Sequence, residues 1–177
     1  MSSRRKGRIL AFQALYSWEV LGRGGGMAAP VPEDLLNFSW LEADKQENLD
    51  EATAAFSRLL VTGTAQNIDA VDTMIRAHLK NWDFSRLNRV DLALLRMSTY
   101  TLMFQADVPP SIVIDEAIGI SKEFGTVDSF RFVNGVLDSI RRTLAEARIP
   151  PDAQVPANTQ IPADTPASPA VHLRPPE

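Results

Sequence analysis

No cysteine occurs among the 177 residues, which excludes disulfides, thiolate metal sites and cysteine nucleophiles together. Histidine is almost as scarce: His78 and His172 stand far apart, so neighbouring positions supply no imidazole cluster. No run approaches the ~20 consecutive apolar residues that span a bilayer. The basic amino terminus leads into an aromatic-rich amphipathic stretch without a small-residue cleavage site, so a secretory signal is not expected and a cytoplasmic location is the default. Strand-like alternation of useful length is missing from residues 1–146, which makes the expected fold class all-α. The formal net charge of −4 argues against a generally basic protein that coats nucleic acid. Any RNA contact must use a local patch against an acidic background.

What is present is helical periodicity, and 45% hydrophobic content suffices for one real core. The first helix is predicted over residues 4–21. Leu10, Ala11, Ala14, Leu15, Trp18 and Leu21 make one broad apolar face, and Ile9, Phe12, Tyr16 and Val20 make a second stripe. A helix so apolar around its circumference is central to its fold or half-covered by a partner. The glycines after Leu21 break it, and a flexible surface loop is expected over residues 22–32. They do not form a phosphate loop, because the Gly-Lys-Ser/Thr ending and a preceding strand are absent.

A short helix is expected over residues 33–41, then helix from 48 to 80 with a break near Gly63 to Asn67. Phe56, Leu59, Leu60 and Gly63 line its first part; Ile68, Val71, Ile75 and Leu79 line the second. After a turn at Asn81-Trp82-Asp83, a long helix over residues 86–105 should be the best-buried element. It carries Val90, Leu94, Met97, Thr101 and Phe104 on one face and Leu92, Leu95 and Leu102 on another. Most of the twelve prolines lie past Arg148. Such a tail cannot offset its ordering entropy and is expected to be disordered, which divides the chain into a domain at 1–147 and a tail at 148–177.

Residues 112–140 read as a helical hairpin. Val113, Ala117, Ile120 and Phe124 share one face, and Asp115 and Glu116 sit where negative charge complements the helix dipole. Gly125 is expected to end that helix in the left-handed conformation. Asp128 is placed to cap the next helix, whose face reads Val133, Val136, Leu137, Ile140 and Leu144. The wording of this hairpin, Asp115-Glu116-Ala117, Lys122-Glu123-Phe124-Gly125 and Phe132-Val133-Asn134-Gly135-Val136-Leu137-Asp138, closely resembles the NusB family of bacterial transcription antitermination factors. The resemblance runs back through Asn81-Trp82, Val90-Asp91, Leu94-Leu95-Arg96 and Val108-Pro109-Pro110 to Arg4-Arg5-Lys6-Gly7-Arg8 and Gln13-Ala14-Leu15-Tyr16-Ser17-Trp18-Glu19. It implies about seven helices in two small packed bundles. It departs from the family's wording at Gly7, Asp115 and Thr101. Gly7 weakens the helix start by up to about 1 kcal/mol and suggests a looser arm.

Arg4, Arg5, Lys6 and Arg8 fall at a helix start, where the dipole disfavours positive charge, and no acid precedes Glu19 in sequence. A solvated terminus would explain them, and so would an arm that displaces counterions from RNA phosphates. The resemblance favours the arm. It implies that this end grips single-stranded boxA RNA, with Gln13 offering amide bonds and Tyr16 a ring for an unstacked base. It further implies that Asp128, Arg131 and Phe132 lie beside the arm and frame the RNA. Asn134 and Gly135 suit packing, Gly135 permitting a close helix contact. Asp115 and Glu116 point about 100° apart on a helix and face no common substrate, and His78 reads as an edge histidine.

The leading reading is therefore an RNA-binding regulator, without catalytic residues, metal or cofactor. It would bind boxA RNA with NusE, a small-subunit ribosomal protein, and help RNA polymerase read through terminators in ribosomal RNA operons. Tyr16, Val20 and Asp91 are the expected NusE contacts, with Asp91 a rim charge. The alternative is an adaptor that binds NusE but has little RNA affinity. Related helical domains open some RNA cytosine methyltransferases, but those act through a cysteine nucleophile, and this sequence has no cysteine.

Overall fold

Ser2 starts the first helix: its hydroxyl accepts a hydrogen bond from the Arg5 backbone N–H at 3.3 Å. The computed structural model describes residues 2–21, 30–80 and 82–148. Most of the glycine-rich loop and the proline-rich tail, for which expectations were given above, thus lie outside the described residues. Within them are eight α-helices, one 3-10 turn and no strand.

Helix α1 covers Ser3–Val20. Its apolar face holds from Leu10 to Trp18 but stops there, because Leu21 is 70% exposed. Helix α2, Glu33–Leu36, is much shorter than expected. Phe38 adopts φ 56°, a left-handed backbone that ends the helix, and its buried ring packs with Leu10 and Ala54. Helix α3, Ala43–Glu47, was not expected; none of its residues is buried, so it shows no apolar period to read.

Asp50 caps helix α4 (Glu51–Gln66), accepting from the Thr53 N–H and hydroxyl, each at 2.8 Å. Asn67 makes the expected break, its amide donating to the Gly63 carbonyl at 2.8 Å, and α5 follows over Ile68–His78. The long helix α6, Arg89–Phe104, begins later than its periodicity suggests. Asp83 first caps a separate 3-10 turn, Phe84–Arg86, and Asn88 then caps α6 through the Val90 N–H at 2.9 Å. Helix α7, Pro110–Phe124, opens on a proline whose missing N–H is not needed there, and α8 covers Ser129–Arg148.

Two cores result. One gathers Phe12, Leu15, Trp18, Leu60, Leu94 and Met97 from α1, α4 and α6. The other gathers Val71, Ile75, Leu95, Val113, Ala117, Val133, Leu137 and Ile140 from α5, α6, α7 and α8. The adjacent residues Leu94 and Leu95 face opposite cores, so α6 is the shared wall of the two small bundles. Eleven of its sixteen residues are buried, as its double apolar stripe requires. Arg96 fastens this arrangement. It is 3% exposed, donates to both oxygens of Asp72 on α5, and reaches Glu19 on α1.

Several expected core roles do not hold. Leu59 and Phe104 are 50% and 47% exposed. Gly125 is extended, at φ −90° and ψ −174°. Crowding is what suits glycine there, since a Cβ would stand 2.6 Å from the Ser121 carbonyl oxygen. Gly135 makes no close helix contact: it is exposed, with nothing within 4 Å of a Cβ position. No described helix is long and apolar enough to cross a membrane.

Candidate nucleic-acid interface

The first turns of α1 place their four cations in four different settings. Arg4 is exposed and lies 4.4 Å above the Phe56 ring. Arg8 stacks on the same ring at 5.4 Å but is 8% exposed. Burial pulls its pKa below the ordinary arginine value, and Arg4 adds to this while Glu116 opposes it. Arg5 spans two acids of α7, Glu116 at 3.1 Å and Glu123 at 3.4 Å. It passes so close to Gly119 that a Cβ there would stand 2.7 Å from Nη1. Lys6 is half-buried, in a cleft with Gln13, Trp40 and Lys45.

The arm is therefore not the unneutralised charge that the local sequence suggests. Its counter-charges come from α7, more than a hundred residues away in the chain. Nor does Gly7 loosen it. Gly7 is buried, and its Cβ position lies 2.7 Å from the Phe56 ring, so the glycine lets α1 close onto α4.

Gln13 and Tyr16 turn toward different neighbours. Gln13 lines the cleft with Lys6 and Trp40, while the Tyr16 ring lies 6.4 Å from Phe12, which in turn meets Phe124 at 5.4 Å. Tyr16 is 37% and Val20 49% exposed, leaving an apolar strip on α1 that the described residues do not bury.

Asp128 and Arg131 form an exposed ion pair at 3.2 Å at the start of α8. Phe132 is half-buried, 5.4 Å from the ring of Trp82. The neighbouring Phe130 has Lys122 at 5.1 Å and Arg131 at 5.3 Å from its ring centre. Lys122 thus ties the start of α8 to α7, the helix that also carries the two acids paired with Arg5. Trp82, Phe130 and Lys122 are not among the RNA contacts expected from sequence, although Trp82 and Lys122 lie in the motifs that carry the resemblance. The available signal was an aromatic beside a basic residue at an element boundary, which many cores also show.

Asp91 is not a rim charge. It is 7% exposed; burial raises its pKa and a hydrogen bond from Ser129 offsets this in part. Its Oδ1 has no hydrogen-bond partner. A charge in the first turn of the long helix was expected to face water, but the start of α8 lies over it. Among the described residues no group of three or more His, Asp or Glu is placed to hold a metal ion.

Comparison with known proteins agrees with this architecture. The NusB family model matches residues 5–142. The transcription antitermination protein NusB of Treponema denticola is 52% identical over 138 residues, covering 78% of this chain and 95% of that protein. The solved NusB of T. maritima is 33% identical, with a TM-score of 0.68 over 80% of this chain and 92% of its own. A chain from the crystal structure of antitermination factors NusB and NusE with double-stranded RNA shares the fold, at TM-score 0.65 and 24% identity over 81% of this chain and 98% of that one. The chain belongs to the NusB family.

Proposed function

We propose that this protein is a cytoplasmic transcription antitermination factor that binds boxA RNA of ribosomal RNA operons together with NusE and promotes read-through by RNA polymerase. It acts by binding, with no catalytic step. The observation that carries the RNA reading is the clustering of surface cations with aromatic rings on an acidic protein: Arg4 near Phe56, and Lys122 and Arg131 near Phe130. Single-stranded RNA needs both components, charge for its phosphates and flat faces for its unpaired bases. Tyr16 and Val20 supply the uncovered apolar strip proposed for NusE.

A second reading has its own support. Arg5 is already paired and Arg8 is buried, which leaves fewer cations for phosphate and favours an adaptor that holds NusE with little RNA affinity. Salt-dependent retention of the full chain on a boxA oligonucleotide, with and without NusE, separates the two. The antitermination reading requires specific retention that NusE strengthens; the adaptor reading requires NusE binding alone.

A further inference from the structure

We propose that the cleft between the end of α5 and the first turns of α8 holds one unpaired base of the bound RNA, stacked on Trp82. This rests on the RNA-binding reading above and adds a subsite to it. Trp82 is 61% exposed and stands outside both cores. Phe132 meets one side of its indole, with ring centroids 5.4 Å apart and planes tilted by 54°. The fold thus fixes a large flat ring and leaves most of it in water.

The rest of the cleft suits a base. Gly135 lies three residues after Phe132, one helical turn along α8, and nothing stands within 4 Å of its Cβ position. The cleft measures about 290 Å³, at the small end of ligand sites, which suits one ring system and not a duplex. His78 is part of the wall: its Nδ1 pairs with the Met74 carbonyl at 2.8 Å and its Nε2 with the Thr143 hydroxyl at 2.9 Å. Lys80, Arg131 and Arg142 stand at the rim. Arg142 is held by Asp138 at 3.0 Å. Among the described residues the ion pair of Arg131 is the open one with Asp128, whose side chains are 72% and 80% exposed, and such pairs exchange readily for another anion. The Phe130 ring lies close to Lys122 and Arg131, so two exposed cations, one of α7 and one of α8, stand beside the start of α8.

The test uses the full chain, NusE and a short single-stranded oligoribonucleotide carrying boxA. Trp82→Ala should weaken RNA binding roughly 5- to 150-fold, the range for loss of one stacked base, while Trp82→Phe keeps most of the affinity. In a Trp40→Ala background, which removes the indole beside Lys6 and Gln13, fluorescence should be quenched by the RNA, and adding Trp82→Ala should abolish that quenching. Gly135→Leu fills the cleft from a position with no neighbour to displace, and should weaken RNA binding without lowering the melting temperature. Wild-type affinity and quenching in both Trp82→Ala and Gly135→Leu would overturn the subsite and leave the RNA-binding reading standing. If the wild type, alone and with NusE, does not bind the RNA, both fail. NusE binding lost on Trp82→Ala with RNA binding unchanged would assign the cleft to protein contact and overturn the proposal.

Discussion

Arg96 grips Asp72 with two parallel hydrogen bonds, Nε to Oδ1 at 2.7 Å and Nη2 to Oδ2 at 2.9 Å, in a setting where both side chains are at most 5% exposed. The pair joins α6 to α5, and the third member, Glu19, brings in α1. Burial alone would lower the Arg96 pKa, but the bonds and charges of Asp72 and Glu19 outweigh it and the pKa is raised. The two bundles are thereby registered against each other at their shared helix.

Removing one partner strands a buried charge. Arg96→Met should destabilise the protein by about 3–5 kcal/mol in urea denaturation, and Arg96→Met with Asp72→Leu should lose less than the sum of the single changes. Additive losses would show that the pair is not coupled.

Asp91 makes an opposite contribution. Burial raises its folded pKa, so the folded state holds this proton more tightly than the unfolded chain does. Between the ordinary value of about 3.9 and the raised folded value, stability from this group falls as pH rises. Above that window the full penalty persists. Asp91→Asn should therefore raise stability at neutral pH and remove that part of the pH dependence. A destabilised Asn variant with an unchanged pH profile would contradict this. Asp91→Lys should unfold or strongly destabilise the protein, where a rim charge would only slow association with NusE.

Arg4 and Arg8 should separate in the same two assays. Arg8 is buried against Phe56, so Arg8→Ala should lower stability by about 1–3 kcal/mol through lost packing. Arg4 is exposed, and Arg4→Ala should leave the melting temperature nearly unchanged while weakening RNA binding. Equal effects of the two on melting temperature would mean that the arm is not divided in this way.

Helix periodicity made most of the fold legible. The faces of α5, α7 and α8 were readable because their buried residues recur every three or four positions, and Asn67 was readable as a break. What escaped has local causes. The left-handed backbone at Phe38 cannot be inferred from a residue that rarely adopts it, and α3 buries nothing. At the site, the basic cluster and the Arg131–Phe132 pair were visible as residue types. Their electrostatics were not, because the acids that neutralise Arg5 come from α7 and the element that buries Asp91 is α8. Trp82 illustrates the same limit. An aromatic residue in a turn is ordinary until the structure shows it braced by Phe132 and mostly uncovered.

The most direct test of RNA binding through the α1 arm is the salt dependence of boxA RNA affinity, measured for the full chain with NusE, in the wild type and in Arg4→Ala with Lys6→Ala. If both cations contact phosphate, the slope of log affinity against log salt should flatten by about 1.4 in the double variant, at ~0.7 per phosphate on a single strand. Affinity at fixed salt should fall with it, and NusE binding should persist. A wild-type slope and affinity in the double variant would remove the arm from RNA recognition and contradict the account.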